Sequence, residues 1–118
     1  MTPSSTDVAQ YGLLALIAVL AIKQIVTGVN ARRRIPALLK DGAVIIDVRS
    51  TGEFSAGNAA GSRNIPLGDL ERGMLDLDPQ RWIIVCCASG ARSGMARRWL
   101  IRHGYPNVLN AGSWRNIS

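Results

Sequence analysis

The distribution of apolar residues divides the chain into two unlike parts. From Tyr11 to Ile22 no residue is charged, and after Lys23 and Gln24 an apolar run continues to Val29. Its apolar residues cover all sides of a helix, which is typical of a helix surrounded by lipid. From Val8 onwards the segment is long enough to cross a bilayer, which takes ~20 residues. The pattern predicts a polar N-terminus at 1–7, a transmembrane helix at 8–29 and a basic juxtamembrane linker at 30–34.

The charges around this segment indicate its orientation. Asp7 is the only charge before it, whereas Arg32, Arg33 and Arg34 follow it. Positive residues favour the cytoplasmic side and can contact anionic lipid headgroups. A cleaved signal peptide would have positive charge before the apolar run, and a buried core helix would need more chain to cover it. We therefore expect a single-pass protein of a bacterial inner membrane, with its C-terminal domain in the cytoplasm.

Strand-like and helix-like segments alternate through residues 35–118. The β-branched runs Ala43–Val48 and Trp82–Cys86 have the length and composition of strands buried on both faces. Ser50 and Glu53 have the spacing of a capping box, which predicts a short helix through Ala56. Further extended segments are expected at 63–66 and 107–110, and further helices at 36–40, 67–75 and 93–103. This order predicts an α/β domain with a small, mainly parallel central sheet flanked by helices.

Composition narrows the class of protein. The 118 residues, 47% of them hydrophobic, allow one globular domain, and two cysteines are too few for a disulfide scaffold. Because Asp7 and Lys23 cancel, the net charge of +6 belongs entirely to residues 31–118. The arginine run at 32–34 supplies half of that charge. No nucleic-acid-binding motif accompanies the charge and aromatic residues are few, so no nucleic-acid partner is expected.

The candidate chemistry lies where the strand at 82–86 ends. Ligands of open parallel sheets bind beyond the carboxyl ends of the strands, which is where Cys87 falls. The small residues that follow let backbone N–H groups turn inward as an anion-binding nest at the start of a helix. Both features lower the pKa of a thiol, and Arg92 adds a cation. Such a thiolate is a nucleophile for electrophilic sulfur, phosphorus or arsenic.

Other interpretations of the two cysteines remain open. Cys87 alone could be a small apolar residue buried at a strand end. Cys86 should point to the opposite face of the sheet and be an inert core residue; a resolving thiol at this position would have to close a strained ring with its neighbour. With one histidine and no CxxC spacing, neither a metal site nor another cofactor is expected.

Several segments resemble those of single-domain rhodaneses in order and spacing, across residues 35–118. They are Asp47-Val48-Arg49-Ser50, Glu53-Phe54, Gly57, Gly61–Pro66, the loop Cys87-x-Ser89-Gly90-x-Arg92-Ser93, and Asn110–Trp114. The resemblance implies a rhodanese-like fold and a sulfurtransferase. In that family the loop cysteine takes sulfane sulfur from a donor such as thiosulfate or a low-molecular-weight persulfide. It then passes the sulfur from its persulfide to cyanide or a thiol.

The resemblance also implies roles for individual residues. Cys87 would be the nucleophile and persulfide carrier, with Arg92 as a catalytic residue that contributes charge or braces the loop. Asp47 and Arg49 would support the loop and the sheet. Two departures affect this assignment, because Asn58 stands where the family often has histidine and the loop carries a single charge. The residues expected to surround the substrate are Ala88, Ser89, Gly90, Ala91, Arg92 and Ser93.

Loop length distinguishes a sulfurtransferase from a cysteine phosphatase or arsenate reductase. The spacing from Cys87 to Arg92 is C-x4-R, whereas cysteine phosphatases and the related arsenate reductases resemble a longer C-x5-R form fitted to a tetrahedral anion. The shorter loop favours transfer of a single sulfur atom over reaction with a tetrahedral anion. A rhodanese-like module that binds a partner without catalysis is the other alternative, and the presence of both Cys87 and Arg92 speaks against it.

Overall fold

The computed structural model describes residue 2 and residues 4–117. The chain forms two compact units, residues 1–30 and residues 31–118. It begins with one long helix, α1 (Ser5–Lys40). None of the 18 residues in the most apolar stretch of this helix is buried. By length and composition this helix can cross a membrane, and a signal sequence near an N-terminus shares both properties. The division into span, linker and catalytic domain stays a prediction.

Helix α1 is longer at its C-terminal end than the sequence suggests. A separate short helix from Pro36 was expected, but the structure continues one helix through residues 30–34 and Pro36 to Lys40. Pro36 has no N–H to donate inside that helix, which ordinarily favours a break. Ile35 and Leu38, on either side of it, are buried against the sheet and hold the backbone helical. Tertiary packing has overridden the local signal.

Four strands form the sheet that the alternating pattern predicts. They are β1 (Val44–Asp47), β2 (Arg63–Asn64), β3 (Ile83–Cys87) and β4 (Val108–Ser113), in the order β2-β1-β3-β4. All neighbouring strands are parallel. The helices of this domain after α1 are α2 (Thr51–Ala56), α3 (Leu67–Glu71) and α4 (Ala91–Arg102), followed by a 3-10 turn at Trp114–Asn116. The α/β class with flanking helices is confirmed.

The sheet has an apolar layer on each face. On one face Ile46, Val85 and Cys87 pack with Ala96 and Leu100 of α4. The opposite layer contains Ile45, Ile84 and Cys86 together with the end of α1. Because successive strand residues alternate between faces, the two adjacent cysteines enter different layers, as predicted. The β-branched runs are therefore buried on both sides, and they fix the position of the strand ends.

The boundaries around the candidate loop differ from the sequence prediction. Strand β3 includes Cys87, and α4 begins at Ala91 rather than at Ser93. Gly90 makes the turn with φ 110°, and its carbonyl accepts the N–H of Gly94 at 2.9 Å. Glycine adopts this left-handed conformation without steric cost. Arg92 therefore lies in the first turn of a helix, rather than in an extended loop.

Strand β4 forms one open edge of the sheet and is also longer than predicted. Its pairing with β3 shifts between Val85 and Cys86, where the chain contains a bulge. The carbonyl of Asn107 accepts the N–H of Ile83 at 2.9 Å, so the next carbonyl, that of Val108, faces the open side. Nε of Arg97 in α4 donates to that outward carbonyl at 3.0 Å.

Candidate active site

Cys87 lies at the carboxyl end of β3 and its sulfur faces the turn that follows. The backbone N–H of Gly90 donates to Sγ of Cys87 at 2.9 Å, and Oγ of Ser93 lies 3.3 Å from the same sulfur. Cys87 is 1% exposed, so the surrounding turn and helix enclose the sulfur. The site therefore surrounds one sulfur atom with donors supplied by a turn and by the first residues of a helix.

The two cysteines differ in acidity because their surroundings differ. Burial acts to raise the pKa of Cys87, but hydrogen bonds from the Ser93 hydroxyl and from the backbone of Ser93, Gly90 and Ser89 outweigh it. The pKa of Cys87 is therefore below its ordinary value. Burial, reinforced by the carboxylate of Asp47, raises the pKa of Cys86 to about 12. Of the two thiols, Cys87 is therefore the more acidic one and the better candidate nucleophile.

Asn110 completes the polar surroundings of Cys87. Its Oδ1 accepts a hydrogen bond from Oγ of Ser93 at 2.7 Å and another from the N–H of Gly112 at 2.9 Å. Its Nδ2 donates to the carbonyl of Gly90 at 3.3 Å. These three bonds fix the orientation of the amide and link β4 to the turn. In the sequence Asn110 stood out only as part of a family-like segment and as the end of the strand predicted at 107–110, whereas in the structure it lies within β4.

Arg92 forms a bidentate salt bridge with Glu53. Its two terminal nitrogens lie 2.7 and 2.9 Å from the two carboxylate oxygens, and both side chains are a little over one-third exposed. Hydrogen bonds from Arg92 and then Ser50 lower the pKa of Glu53 to about 2. The pair joins the first turns of α2 and α4. Sequence reasoning gave Glu53 a capping role, which the structure confirms, and missed its partner.

The turn rests directly on strand β4. A Cβ added to Gly90 would lie 3.3 Å from the Cα of Gly112, which itself has φ 75°. Two glycines therefore allow the turn and the strand to approach each other more closely than residues with side chains would. Of the other predicted loop residues, Ala88, Ser89 and Ala91 are exposed, and Ser93 is buried.

Asp47 and Arg49 form a buried ion pair at the end of β1. Nε and one terminal nitrogen of Arg49 bind the Asp47 carboxylate at 2.8–3.0 Å, and that terminal nitrogen also donates to the Gly57 carbonyl at 2.7 Å. Nδ2 of Asn64 donates to the backbone carbonyls of both residues. The Trp114 ring stacks over the guanidinium at 4.8 Å. This arrangement ties β1, β2 and the C-terminal turn together.

Asn58 occupies the position at which the sequence departs from the rhodanese pattern. It is exposed, and its Nδ2 donates to the carbonyl of Phe54 at 3.0 Å. That bond satisfies a carbonyl at the C-terminal end of α2. In the part of the chain that the structure describes, no group of three or more histidine, cysteine or acidic side chains could hold a metal ion.

Comparison with known proteins gives a consistent match for this domain. The description "Rhodanese-like domain" matches residues 33–118. Thiosulfate sulfurtransferase PspE of Escherichia coli is 32% identical over 75 residues, which are 62% of this chain and 72% of that protein. A sulfurtransferase of Allochromatium vinosum is 29% identical over 70 residues, 59% of this chain and 65% of that protein.

The structural comparison covers the same region. The human single-domain sulfurtransferase TSTD1 superposes with a TM-score of 0.62 at 29% identity, over 71% of this chain and 88% of that one. Two Bacillus subtilis relatives are considerably longer than the matched region, which spans 36% and 54% of their lengths. The similarity thus describes a domain that also occurs inside larger proteins.

Proposed function

The chain belongs to the family of rhodanese-like domains, and from that premise we propose that it is a sulfurtransferase in which Cys87 carries sulfane sulfur as a persulfide. The observation that carries this proposal is the set of donors around one thiol. The N–H of Gly90 lies 2.9 Å from the sulfur of Cys87, and the Ser93 hydroxyl lies 3.3 Å from the same atom. The lowering of the pKa of this thiol by those donors supports its role as the nucleophile.

Transfer takes place in two balanced steps. The Cys87 thiolate attacks the outer sulfur of thiosulfate; an S–S bond forms to Sγ, the S–S bond of the donor breaks, and sulfite leaves with the electron pair. A thiol persulfide reacts in the same way and releases its thiolate. In the second step cyanide or an acceptor thiolate attacks the terminal sulfur, and the Cys87 thiolate is regenerated. Inward-facing N–H groups stabilise the negative sulfur in both steps.

The remaining residues of the site have supporting roles in this proposal. Residues 88–93 form the wall around the transferred sulfur, and Arg92 braces that wall at the start of α4 through its ion pair with Glu53. Asp47 and Arg49 hold the strand ends in register below it, and no hydrogen bond joins either side chain to the sulfur within residues 4–117.

We further propose that α1 anchors this activity in a bacterial inner membrane with the catalytic domain in the cytoplasm. The unburied apolar window supports insertion, and the arginines at 32–34 support this orientation and contact with anionic headgroups. Resistance to alkaline extraction from membranes, together with protease access to residues 35–118 only in inverted vesicles, is the expected result. Release at alkaline pH or a processed N-terminus would contradict the anchor.

Intact-mass spectrometry of the reduced full chain in detergent tests the catalytic proposal. Thiosulfate or glutathione persulfide should add one sulfur atom to the wild type and to Cys86→Ser, and cyanide should remove it. The matched variant Cys87→Ser should gain none. A folded protein with a free Cys87 that gains no sulfur from either donor would instead favour a binding module. Cys87-dependent turnover of an aryl phosphate would favour a phosphatase.

A further inference from the structure

Arg92 is the only charged side chain between Cys87 and Ser93, and its charge is balanced by a residue outside that segment. Both terminal nitrogens of its guanidinium bind the Glu53 carboxylate. Paired geometry of this kind fixes the guanidinium more firmly than a single contact does. Glu53 is itself held in place, because Oε1 accepts hydrogen bonds from the backbone N–H and the hydroxyl of Ser50. The balancing carboxylate is therefore positioned by its own helix.

Arg49, another arginine at this end of the sheet, is also paired with a carboxylate. Arg49 follows the end of β1 and binds the Asp47 carboxylate, and both residues are buried. The two ion pairs contribute two positive and two negative charges, so their sum is zero. The groups that hydrogen-bond to the sulfur of Cys87 itself are backbone N–H dipoles and the Ser93 hydroxyl. Dipoles of this kind suit one negative charge on sulfur, whereas neither of these two ion pairs supplies a net positive charge for the second charge of a dianion.

We infer that Glu53 determines which sulfur donors this site accepts, by cancelling the charge of Arg92 and so favouring donors with at most one negative charge over dianionic thiosulfate. The inference rests on the proposed sulfurtransferase function. The favoured class includes thiol persulfides, whose reacting S–SH group carries at most one negative charge and releases a thiolate. Glu53 acts through Arg92 and is a specificity-determining residue that takes no part in bond formation.

Two donors that react alike and differ in charge provide the test. Thiosulfate is a dianion and leaves as sulfite, while benzenethiosulfonate is a monoanion and leaves as sulfinate; each gives its outer sulfur to the Cys87 thiolate. Their kcat/KM values with cyanide as acceptor are compared at constant ionic strength, using the full chain in detergent. The quantity of interest is the ratio of thiosulfate to benzenethiosulfonate, because a purely structural change alters both values together.

Glu53→Gln removes the charge and keeps the shape. Glutamine also serves in a capping box, and its amide oxygen can still accept from Arg92. Without the Glu53 carboxylate, the charge of Arg92 is no longer cancelled, and the ratio of thiosulfate to benzenethiosulfonate should rise about fivefold. This is the effect of one unit charge at a few ångströms in a solvent-exposed site. The rise should come mainly from a lower KM for thiosulfate. Asp69→Asn is the matched control, because it removes the carboxylate of an exposed pair with Arg72 and changes net charge equally. Its ratio should equal that of the wild type.

Two more variants make the test independent of any one substitution. Arg92→Gln leaves Glu53 unbalanced and should lower the donor ratio, while Glu53→Gln/Arg92→Gln restores zero charge and should return the ratio towards the wild type. Circular dichroism confirms that each variant is folded. Sulfur transfer with the same ratio in all variants, or an equal rise in Asp69→Asn, would overturn the inference and leave the proposed function standing. Absence of Cys87-dependent transfer from both donors would overturn the two together.

Discussion

The hydroxyl of Ser93 donates to Oδ1 of Asn110 at 2.7 Å while its oxygen lies 3.3 Å from the sulfur of Cys87. Oδ1 also accepts the N–H of Gly112, so the amide is oriented as an acceptor towards Ser93. With its hydrogen directed to Asn110, the hydroxyl offers a lone pair to a Cys87 thiol. When Cys87 becomes a thiolate, the hydrogen can turn towards the sulfur. Ser93 thus serves both protonation states of Cys87.

Ser93→Ala should make Cys87 less reactive. Loss of the hydroxyl removes a hydrogen bond to the thiolate and leaves burial to raise the pKa of Cys87. A hydrogen bond to a charged group is worth about 1.5–3 kcal/mol, so iodoacetamide should alkylate Cys87 about tenfold more slowly at pH 7. The full pH profile of alkylation should move to higher pH. Ser113→Ala, which removes a hydroxyl that accepts from the Arg115 N–H, should match the wild type.

The two cysteines should react in a strict order with alkylating agents. Both cysteines are buried, so the order depends on acidity: the pKa of Cys86 is raised to about 12, while the pKa of Cys87 is lowered by the donors around it. Peptide mass spectrometry after brief iodoacetamide treatment of the native protein at pH 7 should find label at Cys87 alone. In urea both should be labelled. Equal native labelling would contradict the difference in acidity between the two thiols.

Acid should remove the contribution of the Glu53–Arg92 pair to stability. The pKa of Glu53 falls from 4.5 to about 2 on folding, chiefly through the hydrogen bond with Arg92. A carboxyl with a lowered folded pKa stabilises the protein above its unfolded pKa, and that contribution disappears as the pH falls towards the folded value.

The unfolding temperatures of the wild type and Glu53→Gln should therefore differ at pH 6 and converge between pH 4.5 and about 2. Circular dichroism at a series of pH values measures this difference. Because the pair is more than one-third exposed, high salt should reduce the gap at pH 6. A gap that persists unchanged at pH 2 would show that Glu53 acts through something other than its charge.

The buried ion pair should tolerate joint replacement better than loss of one partner. Arg49→Met leaves the carboxylate of Asp47, which is 0% exposed, without its cation. Removing one partner of such a pair costs about 3–5 kcal/mol of unfolding free energy. The double variant Asp47→Asn/Arg49→Met should recover part of that loss, as measured by urea unfolding. If both variants lose the same amount, the lost bond from Arg49 to the Gly57 carbonyl is the larger contribution.

Much of the fold could be predicted from the sequence because its strongest signals are local. The β-branched runs near residues 44 and 83 became the two central strands, and Ser50 and Glu53 capped α2 as their spacing predicts. The continuation of α1 through Pro36 could not be predicted. It depends on burial of Ile35 and Leu38 against residues far along the chain, which no local pattern encodes.

In the candidate site, too, the features that depend on neighbouring residues could be predicted, and those that depend on tertiary contacts could not. The position of Cys87 follows from a strand end, small residues and a helix start, all of which are adjacent in sequence. The partner of Arg92 is 39 residues away, and Glu53 already had a sufficient explanation as a capping residue. The orientation of Asn110 depends on a bulge in β4, where the register with β3 shifts. Contacts set by tertiary register lie beyond what residue spacing can predict.

The bond from Arg97 to the carbonyl of Val108 has a consequence for how copies of this domain meet. An open edge strand offers unpaired backbone groups onto which a strand from another molecule can add, which is a common route to aggregation. Arg97 occupies one such acceptor and places a positive charge beside it, where an identical edge would present the same charge. An arginine on the polar side of a helix thus discourages strand-to-strand association at the border of the sheet.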